Sequence, residues 1–78
     1  MTNARIQIDP GIMFGKPVIA GTRITVEQIL RKIAAGISTE SILADHPGLR
    51  DEDIRSAVEF AADYIAREEV VYVAEPRK

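Results

Sequence analysis

Three groups of residues have the side chains that chemistry uses. The first is GKPVIAGTRITV, residues 15–26, where two glycines, Lys16, Arg23 and two threonines sit close together. A phosphate loop of the Walker kind needs G-x-x-x-x-G-K-[ST], so that glycine amides wrap the phosphates and a hydroxyl holds magnesium. Gly11-Ile-Met-Phe-Gly15-Lys16 is one residue short of that spacing, and Pro17 replaces the hydroxyl and lacks an N–H. The spacing excludes a phosphate loop. The second group is Asp45, Asp51 and Asp53, a conceivable cation cluster. Asp51 and Asp53 are, however, what the start of a helix requires. The third is His46, which has no nucleophile context and precedes Pro47-Gly48; it reads as structural. With no cysteine, thiol nucleophiles, Cys-based zinc sites and disulfides are excluded. The expectation is a protein that is not an enzyme, with no cofactor, no metal and no small-molecule substrate.

Binding is the chemistry that remains. Net charge is −2, but it is unevenly spread. Up to Ile37 five basic residues face two acidic ones, a balance of +3; from Ser38 onward five face ten, a balance of −5. Such segregation points to a binding face at the N-terminal end. If the ligand is DNA, backbone contacts are expected from the basic cluster around the hairpin and first helix: Arg5, Lys16, Arg23, Arg31 and Lys32. Arg50, Arg55 and Ser56 would lie nearest the groove. Against that, the outward positions of the third helix include Glu52, Asp53 and Glu59, and carboxylates repel phosphate.

The elements that must position these residues fit one domain, because 78 residues are too few for two cores. A chain this short buries about 60–65% of its unfolded surface, so a second copy would supply burial a monomer lacks. With 46% hydrophobic and 28% charged residues it is a globular rather than a disordered sequence. The Met1 end has no leader pattern and no apolar run nears the ~20 residues of a membrane span. The expected location is the cytoplasm, without a membrane.

The reading divides the chain into a β element (1–24), a three-helix bundle (25–67) and an extended tail (68–78). Arg5–Asp9 and Pro17–Ala20 read as the strands of a hairpin with its loop around Gly11–Lys16. Thr22 and Arg23 would secure the connection to the helices or to another subunit. Thr25 and Gln28 form a Thr-x-x-Gln capping box, and Val26, Ile29, Leu30, Ile33, Ala34 and Ile37 recur at helical period before the Gly36 cap. Ser38 or Thr39 starts a short second helix that must end at His46, because Pro47 follows. Asp51 reads as the cap of a third helix over 52–67, with the stripe Ile54, Ala57, Val58, Ala61, Ile65 and a second apolar line, Phe60 and Tyr64. The last two helices and their Pro-Gly turn outline a helix-turn-helix. The tail carries Val70, Val71, Tyr72, Val73 and Ala74, an apolar run that must pair with the hairpin, a sister subunit or a partner.

IDPGIMFGKPVIAGTRITVEQIL, AAGISTESILADHPGL and EDIRSAVEFAADY, within residues 8–64, resemble the domain-of-unknown-function 433 family. The resemblance implies a mainly α fold, a short N-terminal β-hairpin followed by a homeodomain-like three-helix bundle. It also implies a VapB-type antitoxin that binds a PIN-like ribonuclease toxin from an adjacent gene and represses its own operator DNA as a homodimer. Ala20 departs from the basic residue members often carry before GTR, and the acidic third helix departs from direct base reading. In this reading Phe60, Tyr64 and the tail residues Val70, Val71, Tyr72, Val73 and Arg77 meet a partner or sister chain. Arg77 would reach the toxin's acidic metal site. The rival reading is a dimeric protein-interaction or adaptor module that binds no nucleic acid.

Overall fold

A computed structural model describes residues 4–67. It begins with an antiparallel pair, β1 (Ile6–Gln7) and β2 (Val18–Ile19), with Ile6 opposite Ile19 and Gln7 opposite Val18. Only the middle of each expected strand enters the ladder. The first is cut short because Asp9 starts a turn: its carbonyl accepts the Ile12 N–H and its carboxylate accepts the Gly11 N–H, both at 2.8 Å. The second cannot extend backward through Pro17, which has no N–H to give.

After β2 the chain reverses over residues 20–23, with Gly21 at φ +80°. Thr22 fastens this reversal: its N–H and hydroxyl both donate to the Ile19 carbonyl, at 2.9 and 2.8 Å, and its oxygen accepts the Ile24 N–H at 3.0 Å. The chain then runs back along β2. The Ile19 N–H meets the Ile24 carbonyl, Thr25 bridges Val18, and the Val26 N–H meets the Pro17 carbonyl at 2.9 Å. Arg23, expected to secure this connection, is exposed and forms no side-chain bond among the described residues. The hydroxyl of Thr22, shorter and already in place, does that work.

Helix α1 (Val26–Ala34) starts on the expected capping box, with Thr25 Oγ1 accepting the Gln28 N–H and Gln28 Oε1 accepting the Thr25 N–H, each at 3.0 Å. Gly36 at φ +84° closes it, a backbone angle that favours glycine. Helix α2 (Thr39–Asp45) is capped by Ser38 and ends at His46, whose ψ of 83° fits the restriction imposed by Pro47. Helix α3 is Asp51–Arg67. It starts one residue earlier than the sequence implied, so Asp51 lies in its first turn and Arg50 precedes it. The cause is Asp53, whose Oδ2 accepts the Arg50 N–H at 3.0 Å. α2, the Pro47-Gly48 turn and α3 keep the helix-turn-helix outline.

Ile19 of β2 is buried in one cluster with Val26, Ile29, Ile42, Leu49, Ile54 and Ala57, and Val18 beside it is also fully buried. Each large side chain buried this way stabilises the fold by about 1.5–3 kcal/mol. The stripe of α3 is only half used. Ile54 and Ala57 are inside, but Val58 and Ile65 are 44% and 59% exposed. Geometry explains the difference, since nine residues of α1 run about 13 Å and seventeen of α3 about 25 Å. The far end of α3 has no helix of equal length beside it.

Candidate functional site

At the front of α3 Asp51 and Asp53 each hold an arginine. Asp53, expected to face outward, is buried at 6% exposure and ion-pairs with Arg5 Nη1 at 2.9 Å. Its carboxylate thus holds the Arg50 amide and the N-terminal segment at once. A carboxylate is drawn inward when a guanidinium and an amide together replace its water. Arg55 places Nε and Nη2 on Asp51 Oδ2, at 3.2 and 3.0 Å, one turn back on the same helix. Arg50 is exposed, with no side-chain bond among the described residues, and Ser56 is half-buried.

A second group forms on α1. Glu27 accepts Lys16 Nζ on Oε1 at 3.1 Å and Arg31 Nε on Oε2 at 3.0 Å. The Lys16 hydrogen bond, then that of Arg31, with the attraction of both charges, holds the Glu27 carboxyl below its ordinary pKa. Of the cations expected to meet phosphate, Lys16 and Arg31 are therefore brought together on one carboxylate. Arg23 stands apart at the turn after β2, beside Gln7, Ile12 and Thr22. Lys32 is half-buried on α1.

Between α1 and the far half of α3 lies an open apolar groove of about 470 Å³. Pro17, Leu30, Ala34, Phe60, Tyr64 and Ile65 line it, with Glu27 and Arg31 along one edge. The Phe60 and Tyr64 rings stack within it at 6.3 Å between centroids and 22° between planes. These two residues, expected to face a partner, do share one surface. The tail residues Val70, Val71, Tyr72, Val73 and Arg77 lie outside the described residues.

The most exposed large apolar side chain among the described residues escaped the sequence reading. Met13, Phe14 and Gly15 form a single 3-10 turn with φ of 49°, 59° and 81°. Left-handed backbone costs a residue with a side chain about 1–2 kcal/mol. Phe14, at 95% exposure, recovers nothing of that by burial. It borders a second cavity, of about 320 Å³, with Met13, Lys16, Gln28 and again Glu27 and Arg31. Neither Met nor Phe favours this conformation, so only Pro10-Gly11 and Gly15 signalled a turn at all.

His46 sits at the end of α2 with Nε2 buried and no hydrogen-bond partner among the described residues. Among the described residues no three His, Asp or Glu side chains gather as metal ligands. No helix among them is long and apolar enough to cross a membrane.

Comparison with known proteins adds relatives. The family model described as "Protein of unknown function (DUF433)" matches residues 6–61. That span takes in Phe14, Glu27 and Arg31 but stops before Tyr64. The chain is 42% identical over 52 residues to the uncharacterized protein y4eO of Sinorhizobium fredii, covering 67% of this chain and 24% of that protein. It is also similar to the crystal structure of a DUF433 member from Anabaena variabilis, with TM-score 0.73 and 34% identity over 76% of this chain and 58% of the other. The chain thus spans about a quarter of that curated relative and under three-fifths of the solved one.

Proposed function

From the premise that the chain belongs to the DUF433 family, we propose that it is an antitoxin-like protein-binding module, a homodimer that holds a PIN-like ribonuclease partner. The observation that carries the protein-binding part is the open groove of Leu30, Ala34, Phe60, Tyr64 and Ile65. Apolar side chains lining an open groove at a helix end mark a surface for protein rather than for water. The front of α3 supports the same choice, because Asp51 and Asp53 already hold Arg55 and Arg5. The class of partner comes from the family resemblance, and the apolar run Val70–Ala74 after α3 supplies a segment able to add to a sheet edge.

The test is co-expression with the product of the neighbouring reading frame. The partner is expected to co-purify with the full chain and to be lost from a chain ending at Arg67. Equal capture by both would remove the tail from the account. No capture by either would remove the antitoxin reading.

Operator binding is a second reading, favoured by the helix-turn-helix outline and by Arg50, whose side chain is exposed at the start of α3. It predicts promoter binding that weakens steeply with salt and is lost in Arg50→Ala. A gel shift showing no complex at low salt rejects it and leaves the adaptor role.

A further inference from the structure

The turn at Met13 and Phe14 is strained and exposed at once. Among the described residues these two alone, glycines aside, have positive φ. The turn is also well fastened. The Gly15 N–H donates to the Ile12 carbonyl at 3.0 Å and the Lys16 N–H to that of Met13 at 3.1 Å, behind the Asp9 turn that holds Ile12 and Gly11. Burial would offset such strain, yet the Phe14 ring at the tip is 95% exposed. Backbone in a costly conformation persists where its surroundings over-determine it, and such positions cluster at ligand clamps and other functional sites. From this turn and the charges beside it we infer that Phe14 is the anchor of a protein-docking surface. It enters an apolar pocket of the partner that carries carboxylates at its rim. The inference rests on the protein-binding part of the proposed function and adds a surface distinct from the α1–α3 groove.

The side chains around Phe14 fix the chemistry of the rim. Phe14 borders one cavity with Lys16, Glu27, Gln28 and Arg31. Two cations against one carboxylate leave this group a balance of +1. Its donors are also only partly used. Arg31 gives Nε to Glu27, and among the described residues its terminal amino groups have no partner. Lys16 Nζ makes a single bond, where an ammonium can donate three. Gln28 spends its oxygen on the Thr25 amide, and its own amino group donates to nothing among the described residues. Unused donors with net positive charge call for anionic acceptors. The class of partner follows from the ring. Single-stranded nucleic acid is held along a positively charged groove, and the Glu27 carboxylate beside Phe14 repels phosphate. A ring exposed on nearly every side fits instead into a concave pocket, as the aromatic anchors of protein interfaces do. Because the turn is already fastened, its backbone need not be ordered on binding, a cost that otherwise weakens association.

The test is calorimetric titration of the full chain with the purified product of the neighbouring reading frame, with circular dichroism and thermal melts of each variant alone. Phe14→Ala is expected to weaken binding about 30-fold with helicity unchanged. Phe14→Gly is expected to weaken it at least as much and to raise the melting temperature of the free chain, because glycine relieves the left-handed backbone. A merely structural Phe14 gives the reverse, lower stability with binding intact. Arg31→Glu is expected to weaken binding about tenfold and to flatten its dependence on salt. Wild-type affinity in Phe14→Gly, or unchanged or tighter binding in Arg31→Glu, overturns the inference and leaves the groove reading standing. So does a labelled oligouridine that binds the wild type and is lost in Phe14→Ala while partner binding is kept. No binding of the partner by the wild type overturns both this inference and the antitoxin assignment.

Discussion

The two halves of α3 are built from the same residue types and do opposite things. From Asp51 to Ala57 paired and buried groups dominate: Asp53 is held by Arg5 and the Arg50 amide, Asp51 by Arg55, and Ile54 and Ala57 by the core, with Glu52 left on the surface. From Val58 to Ile65 the apolar side chains continue at the same period, but Val58, Tyr64 and Ile65 are each at least 44% exposed. Periodicity reports which face a helix presents; the length of its neighbour decides how much of that face is covered. The first half of α3 is therefore architecture, and the second is surface available for recognition.

That contrast breaks most visibly through paired truncations. Ile54→Ala is expected to destabilise the fold by about 2–5 kcal/mol, whereas Ile65→Ala on the same helix should cost under about 0.5 kcal/mol. Urea titrations followed by circular dichroism measure both, and similar losses would mean that the far half is packed after all. Asp53→Ala is the next largest. It leaves the Arg50 amide and Arg5 without their shared acceptor and is expected to cost about 1–3 kcal/mol. Asp51→Ala, which removes only an exposed pair, should cost under about 1 kcal/mol.

The smallest effect concerns Glu27 and the two cations it holds. The Glu27 pKa is lowered in the folded chain, so the folded state takes up that proton less readily than the unfolded chain. Its contribution is present above the ordinary glutamate value of 4.5 and is lost as pH falls through the lower folded value. Glu27→Gln should flatten this part of the acid limb of a stability profile slightly. A steeper acid limb in that variant would contradict the pairing with Lys16 and Arg31.

Much of the frame was legible because its signals are local. The Thr25–Gln28 box, Gly36, Ser38 and the stop before Pro47 are each decided by a few neighbouring residues, and all four stand where the sequence puts them. Asp53 was misread for the opposite reason. An acidic residue in a first turn looks solvent-facing, and the arginine that draws it inward lies 48 positions away. Phe14 was overlooked because nothing in Met-Phe favours left-handed backbone; the turn is imposed by Asp9 and Gly15 around it. The basic residues were named correctly as charges, but sequence spacing does not show that Glu27 gathers two of them.

Thr25 belongs to two structures at once, as the cap of α1 and as the residue bridging Val18 in the returning strand. Helix ends ordinarily fray on their own, exchanging their amide protons without disturbing the rest of a domain. Here the first turn of α1 is tied to the hairpin by the Val26 amide on the Pro17 carbonyl, next to the Ile19 amide on Ile24. Hairpin and helix thus form a single cooperative unit, whose amide protons exchange together. The most protected amides of this small protein would then lie at the seam between strand and helix.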